Sequence, residues 1–114
     1  MTNKYLIIAL LVWSFTMSCD KNKDEVDIPT CIQAKIESLK TLHKQNPPAI
    51  VEEWETPSGT YYYITSDCCD QFNYLYDGFC NVVCAPDGGI TGEGDGNCPV
   101  LTDTVVTVLW QDER

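Results

Sequence analysis

Ala49-Ile50-Val51-Glu52-Glu53-Trp54-Glu55, then Thr56-Pro57-Ser58-Gly59, then Thr60-Tyr61-Tyr62-Tyr63-Ile64-Thr65: the fold turns on how this stretch is read. In its first part Ile50 and Trp54 alternate with Val51 and Glu53, a period of two that marks a strand. Glu52 and Glu53 therefore fall on opposite faces and make no acid–base pair. The tyrosine run has strong β-propensity. Between the runs, Pro and Gly stand where a four-residue turn prefers them. The stretch predicts a β-hairpin over Ala49–Glu55 and Thr60–Thr65. Alternate tyrosines are expected to pack in the core or flank the sheet rather than form a ligand-stacking surface.

Toward the C-terminus, Ser66 to Gln71 is a polar, cysteine-bearing corner. Phe72–Tyr76 and Asn81–Ala85 read as short strands around a turn at Asp77-Gly78, although the first also suits a helical turn. Pro86 to Pro99 holds five glycines in 14 residues and reads as a loop. Thr104–Trp110 is a β-branched run and a further strand. Toward the N-terminus, Pro47-Pro48 ends a helix over Cys31–Lys44. Thr30 and Gln33 have the spacing of a capping box. Ile32, Ile36, Leu39 and Leu42 or His43 make one apolar stripe. Cys31 flanks the stripe and is placed to staple the helix start to the sheet. His43 is expected near the helix C-terminus, where a cation suits the dipole. The connections are too short for parallel crossovers. The expected fold class is α+β: one N-terminal helix on a four- or five-stranded antiparallel sheet, disulfide-stapled.

The first residues read as an address. Lys4 precedes an apolar run from Tyr5 to Met17, 13 residues, short of the roughly 20 a membrane-spanning helix needs. Residues 1–18 are expected to be a signal peptide, excluded from the fold. Ser18-Cys19 resembles the end of a lipobox, with Thr16 in place of the usual aliphatic residue. Thr16 and Ser18 also suit an ordinary signal peptidase. The cysteine count separates the two. There are seven cysteines, and a leftover one in an exported protein needs a role. Lipid on Cys19 leaves Cys31, Cys68, Cys69, Cys80, Cys84 and Cys98 to pair. Residues 19–29, polar and charged, then form a tether, and 30–114 form the domain.

Six cysteines in so small an exported domain point to disulfides. Zinc would want Cys-x2-Cys knuckles or several histidines, and the chain has one His. Sequence leaves the pairing open. Cys68 and Cys69 are expected to bond to different partners, since a bridge between neighbours strains the backbone. Each bridge contributes around 2–4 kcal/mol by restricting the unfolded chain.

The formal charge is -10, and loss of Lys4 with the signal peptide takes it to -11. From Gln45 to Glu113 there is no Lys or Arg, against twelve acidic residues. Nucleic-acid binding is excluded, because it needs basic groups to displace counterions. A cationic partner or a divalent metal remains compatible, and so does simple solubility.

The glycine-rich loop carries the one set of candidate ligands. Asp87, Glu93 and Asp95 offer hard oxygens on a pliable backbone, as calcium requires. The spacing fits neither an EF-hand nor a repeated calcium motif. Asp-Gly pairs equally make tight turns, with Cys84 and Cys98 clamping the ends, and the structural reading is the preferred one.

Several strings occur in an unusual order: Cys68-Cys69-Asp70-Gln71-Phe72, Leu75-Tyr76-Asp77, Cys84-Ala85-Pro86-Asp87-Gly88-Gly89 and Gly92-x-Gly94-Asp95-Gly96-x-Cys98. Together they resemble a domain of unknown function found in lipoproteins and exported proteins of Bacteroidetes-type bacteria, from about Cys31 onward. The resemblance implies no activity. It implies tolerance of a loose lipobox, and Asp24-Glu25 behind Cys19 resembles the acidic surface-export signal of such lipoproteins.

The sequence thus leads to an exported, monomeric protein held in the outer membrane or on the cell surface by an N-terminal lipid. It reads as a non-enzymatic module binding a partner at the envelope, without cofactor. A calcium-stabilised module and a small enzyme inhibitor are the alternatives. A loop packed flat on the sheet would count against the inhibitor.

Overall fold

The structure, a computed structural model, describes residues 27–114; the signal segment, Cys19 and most of the tether lie outside the described residues. One helix, α1 (Thr30–Thr41), precedes five strands: β1 (Ile50–Thr56), β2 (Gly59–Ile64), β3 (Phe72–Tyr76), β4 (Val82–Gly88) and β5 (Val105–Gln111). They form one antiparallel sheet in the order β4-β3-β2-β1-β5. The α+β class and the sheet are as expected, with five strands.

The hairpin β1–β2 closes on Pro57-Ser58, with Thr56 opposite Gly59 and Val51 opposite Ile64. Thr56 secures the turn: its Oγ1 donates to the Gly59 carbonyl at 2.9 Å and accepts from Ser58 N–H at 3.1 Å. β3 is a strand, not a helical turn. Asp77 shapes the β3–β4 turn by accepting from the Phe79 and Asn81 amides at 2.8 and 2.9 Å.

Successive residues of a strand point to opposite faces, and here both faces are covered. On one, Ile32 and Ile36 of α1 bury against Val51 and Tyr62, with Leu39, Ile64, Tyr76, Leu109 and Trp110 around them. On the other, Tyr63, Leu75 and Cys84 form a second core with Trp54, Tyr61, Cys98 and Leu101. Adjacent tyrosines thus enter different cores. Single-sided alternation undercounts this burial, because the sequence does not announce the chain that covers the second face.

α1 departs from expectation at both ends. Pro29 is the N-cap, its carbonyl accepting from the Ile32 and Gln33 amides at 3.0 Å each. Thr30 is already helical, one residue too late to cap, and Gln33 Nε2 donates instead to the Ile28 carbonyl at 3.1 Å. The helix stops at Thr41, well before Pro47-Pro48, because Leu42 is extended (φ -79°, ψ 163°). Leu42 is exposed and His43 lies beyond the helix. The last carbonyls are capped from afar: Arg114 donates to those of Leu42 at 2.9 Å, Lys40 at 3.3 Å and Leu39 at 3.5 Å.

Three disulfides use the six cysteines of the domain. Cys31–Cys80 ties the start of α1 to the β3–β4 turn, and Cys84–Cys98 clamps the glycine-rich segment. Cys68 and Cys69 bond to each other, against the expectation of separate partners. Their corner is exposed and turns tightly, with Cys69 at φ 45° and Gln71 N–H donating to the Cys68 carbonyl at 3.2 Å. The other four cysteines are already joined elsewhere.

The loop expected from Pro86 begins later, because β4 runs on through Pro86, Asp87 and Gly88. Beyond it the chain folds back on that edge. Gly94 N–H donates to the Gly88 carbonyl at 3.1 Å and Asp95 N–H to that of Ala85 at 3.0 Å. Gly94 sits at φ 76°, and a Cβ there would collide with the Ala85 carbonyl. Only glycine permits this approach.

Candidate functional site

The three carboxylates of the glycine-rich segment do not share one task. Asp87 stands opposite Asn73 in the β3–β4 ladder. Its carboxylate accepts from the Tyr63 hydroxyl at 3.0 and 3.1 Å and from Asn73 Nδ2 at 2.6 Å. Asn73 Oδ1 in turn accepts from the amide and hydroxyl of Ser66 at 2.8 and 3.0 Å. Asp95 makes a local turn by accepting from Asn97 N–H at 2.9 Å, and Glu93 is exposed. Among the described residues, no group of three or more His, Cys, Asp or Glu side chains is arranged to hold a metal ion.

The Asp87 network carries the strongest electrostatic perturbation on this face. Burial, and then the Asp87 carboxylate, push the Tyr63 hydroxyl far above its usual titration range. Burial raises Glu52 too, with the Asp87 charge adding to it and the Trp54 indole opposing. That indole N–H is buried without a partner at hydrogen-bond geometry, so its effect on Glu52 is that of a nearby dipole. Trp54 stacks on Tyr63 with centroids 5.0 Å apart. Apart from that indole N–H, the polar groups Tyr63, Asp87, Asn73 and Ser66 satisfy one another, which is the pattern of a structural polar cluster.

One cavity, about 580 Å³, lies beside Lys40, Trp110 and Asp112–Arg114. Two of its charged groups are already engaged: Arg114 pairs with Asp112 at 2.7 Å and caps α1. Hydrogen bonds from Arg114 draw the Asp112 carboxyl down to about 2. His43 Nε2 lies 3.6 Å from Asp67 Oδ2, both exposed. That pair replaces the expected role at the helix end.

A second cavity has free chemistry. It is an open groove of about 440 Å³ beside the Cys68–Cys69 corner. Phe72, Tyr74 and Tyr76 line it from alternate positions of β3, and Ile64, Thr65, Ser66, Asp70 and Gln71 complete the lining. The rings stand across one another: Phe72 and Tyr74 are 6.0 Å apart at 59°, Tyr74 and Tyr76 6.4 Å apart at 67°. Gly89 makes room for Phe72, since a Cβ there would lie 2.6 Å from its ring. From α1, Lys35 Nζ sits 4.5 Å from the centre of the Tyr76 ring. The sequence reading missed this groove. The signal was Phe-x-Tyr-x-Tyr over 72–76, which in a strand places three rings on one face.

No curated protein and no solved structure matches the chain. Residues 37–112, two thirds of the chain, match the family described as Domain of unknown function (DUF6970). The match runs from the middle of α1 through all five strands. The chain belongs to the DUF6970 family of domains of unknown function.

Proposed function

We propose that the mature chain is a lipid-anchored, non-enzymatic binding module of the cell envelope in Bacteroidetes-type bacteria, and that the β3 groove is its binding surface. The observation that carries this reading is the groove: three aromatic rings, a carboxylate and a carboxamide around open space. Small-ligand sites combine apolar walls with a few placed polar groups in this way. The hydroxyls there are not poised for catalysis. Ser66 donates to an amide oxygen, which is no base, and Thr65 Oγ1 accepts from the Ile50 amide at 2.9 Å.

The anchor rests on the N-terminal sequence together with the cysteine count. With six cysteines paired in the domain, Cys19 is the one left to carry lipid. The acidic residues behind it favour display on the outer membrane or cell surface. The inhibitor alternative keeps only the exposed tip around Ile90, since Gly94 and Asp95 fold the segment back on β4. The calcium alternative loses support, since Asp87 and Asp95 are engaged separately and the three carboxylates do not form a ligand group.

Two measurements test the reading. Mass spectrometry of the membrane fraction is expected to find an acylated Cys19; an unmodified N-terminus beginning at Cys19 would remove the anchor. Envelope extract passed over the immobilised, oxidised protein should leave a component that Tyr74→Ala fails to retain. Equal retention by both proteins would move the binding surface away from the groove.

A further inference from the structure

We propose that the groove on β3 binds an organic ammonium ion, held by the faces of Tyr74, Phe72 and Tyr76 and by the Asp70 carboxylate. The inference rests on the groove being the binding surface and names its ligand class. Aromatic faces are negative at their centres and attract ammonium groups within about 6 Å. Here the rings stand across one another, so they wall a space in more than one direction. Asp70 is the one charged side chain among the residues lining the space, with no Lys, Arg or His beside it.

The protein already contains an instance of the chemistry. Lys35 Nζ lies 4.5 Å from the Tyr76 ring centre, so this row of rings holds one ammonium from the helix side. The surrounding charge acts in the same direction. No basic residue occurs between Gln45 and Glu113, and a field of one sign raises the local concentration of oppositely charged ligands. Anionic ligands meet Asp70 and the whole acidic domain. A purely apolar ligand would strip water from Asp70 and Gln71 without replacing it. The recognised group is an ammonium on a short aliphatic stem, which either a choline headgroup or a lysine side chain supplies.

The experiment is an NMR titration of the full mature protein with its disulfides formed. The probes are choline, its uncharged isostere 3,3-dimethylbutan-1-ol, N-acetyl-lysine methylamide and the neutral sugar maltotriose. Choline or the lysine derivative is expected to shift the Tyr74 and Phe72 ring resonances where the isostere does not. The stronger of the two identifies the source. Asp70→Asn should weaken binding several-fold, and added salt should weaken it in the native protein more than in that variant. Lys35→Ala, which removes the ammonium already lying over Tyr76, should tighten it about two- to threefold. An equal response to the isostere would overturn the proposal in favour of an apolar groove. A response to maltotriose alone would overturn it while leaving the groove as binding surface. Silence toward both ammonium probes at tens of millimolar would overturn it as well, and the Tyr74→Ala retention experiment then decides separately whether the groove binds anything. Amide spectra of each variant establish that it is folded.

Discussion

Asp87 shows how a residue chosen for one chemistry serves another. Its place among acidic residues and glycines suggested a metal ligand. In the fold it joins β2, β3 and β4 by accepting from Tyr63 and Asn73. Asp87→Ala leaves both donors without an acceptor and is expected to cost about 1–3 kcal/mol. Asp87→Asn keeps an acceptor in place and should cost less, while letting the Tyr63 hydroxyl titrate closer to its ordinary range. Urea unfolding of the two variants, with an ultraviolet titration of tyrosine, checks both statements. Calcium should leave the midpoint of the native protein unmoved if the carboxylate is structural.

Asp112 gives a pH dependence with a definite sign. Its carboxyl titrates at about 2 in the fold against 3.8 ordinarily, chiefly through hydrogen bonds from Arg114. A depressed acid stabilises the folded state fully above the ordinary value and loses that contribution as pH falls toward the folded one. The difference in urea midpoint between the native protein and Arg114→Ala is therefore expected to shrink as pH drops from about 4 to about 2. What survives below that window is the capping of α1. A difference that widened on acidification would contradict the assignment.

At the scale of elements, much of the fold was legible and the exceptions have local causes. The β1–β2 hairpin followed from its alternation and from Thr56-Pro57-Ser58-Gly59, because a turn is decided by adjacent residues. The capping box failed because Pro29 took the N-cap and moved Thr30 inside the helix. The helix end was illegible because what caps it, Arg114, lies more than seventy residues away. Local strain speaks against a Cys68–Cys69 bond, but the other four cysteines pair with one another across the fold, a long-range outcome that strain between neighbours does not reveal. The groove on β3 was legible as period-two aromatics, but nothing in the sequence said that α1 would leave those rings partly open.

The disulfides should differ in worth. Cys31–Cys80 closes a separation of 49 residues and Cys84–Cys98 one of 14. Loop-closure entropy in the unfolded chain then favours the first by about 1 kcal/mol. Paired Cys→Ser variants, Cys31/Cys80 against Cys84/Cys98, are expected to rank in that order in chemical unfolding. The reverse order would mean that native contacts of the glycine-rich segment outweigh chain entropy.

Across the whole molecule, the two sheet edges are unlike. β4 carries Pro86, irregular pairing and the returning segment at Gly94-Asp95, all of which block further strands. β5 has no charge in Val105–Gln111 and leaves Val105, Val106 and Val108 exposed at 60%, 48% and 56%. An unprotected apolar edge invites strand pairing, and mutual repulsion of strongly acidic copies opposes it. Salt screens that repulsion. Light scattering of concentrated protein should therefore rise with ionic strength, and Val106→Lys should suppress the rise with little change in melting temperature. Scattering independent of salt would show that charge is not what keeps the copies apart.

The central strand has a consequence for how the molecule opens. β2 has a neighbour on each side, and its consecutive tyrosines are buried in the two different cores. Freeing its amides means parting two ladders and uncovering both layers at once. In heavy water those protons should exchange only through global unfolding, while the outward amides of β5 exchange through local fluctuation. The slowest-exchanging protons of the chain would then mark, residue by residue, the run Tyr62-Tyr63-Ile64, which is paired on both sides.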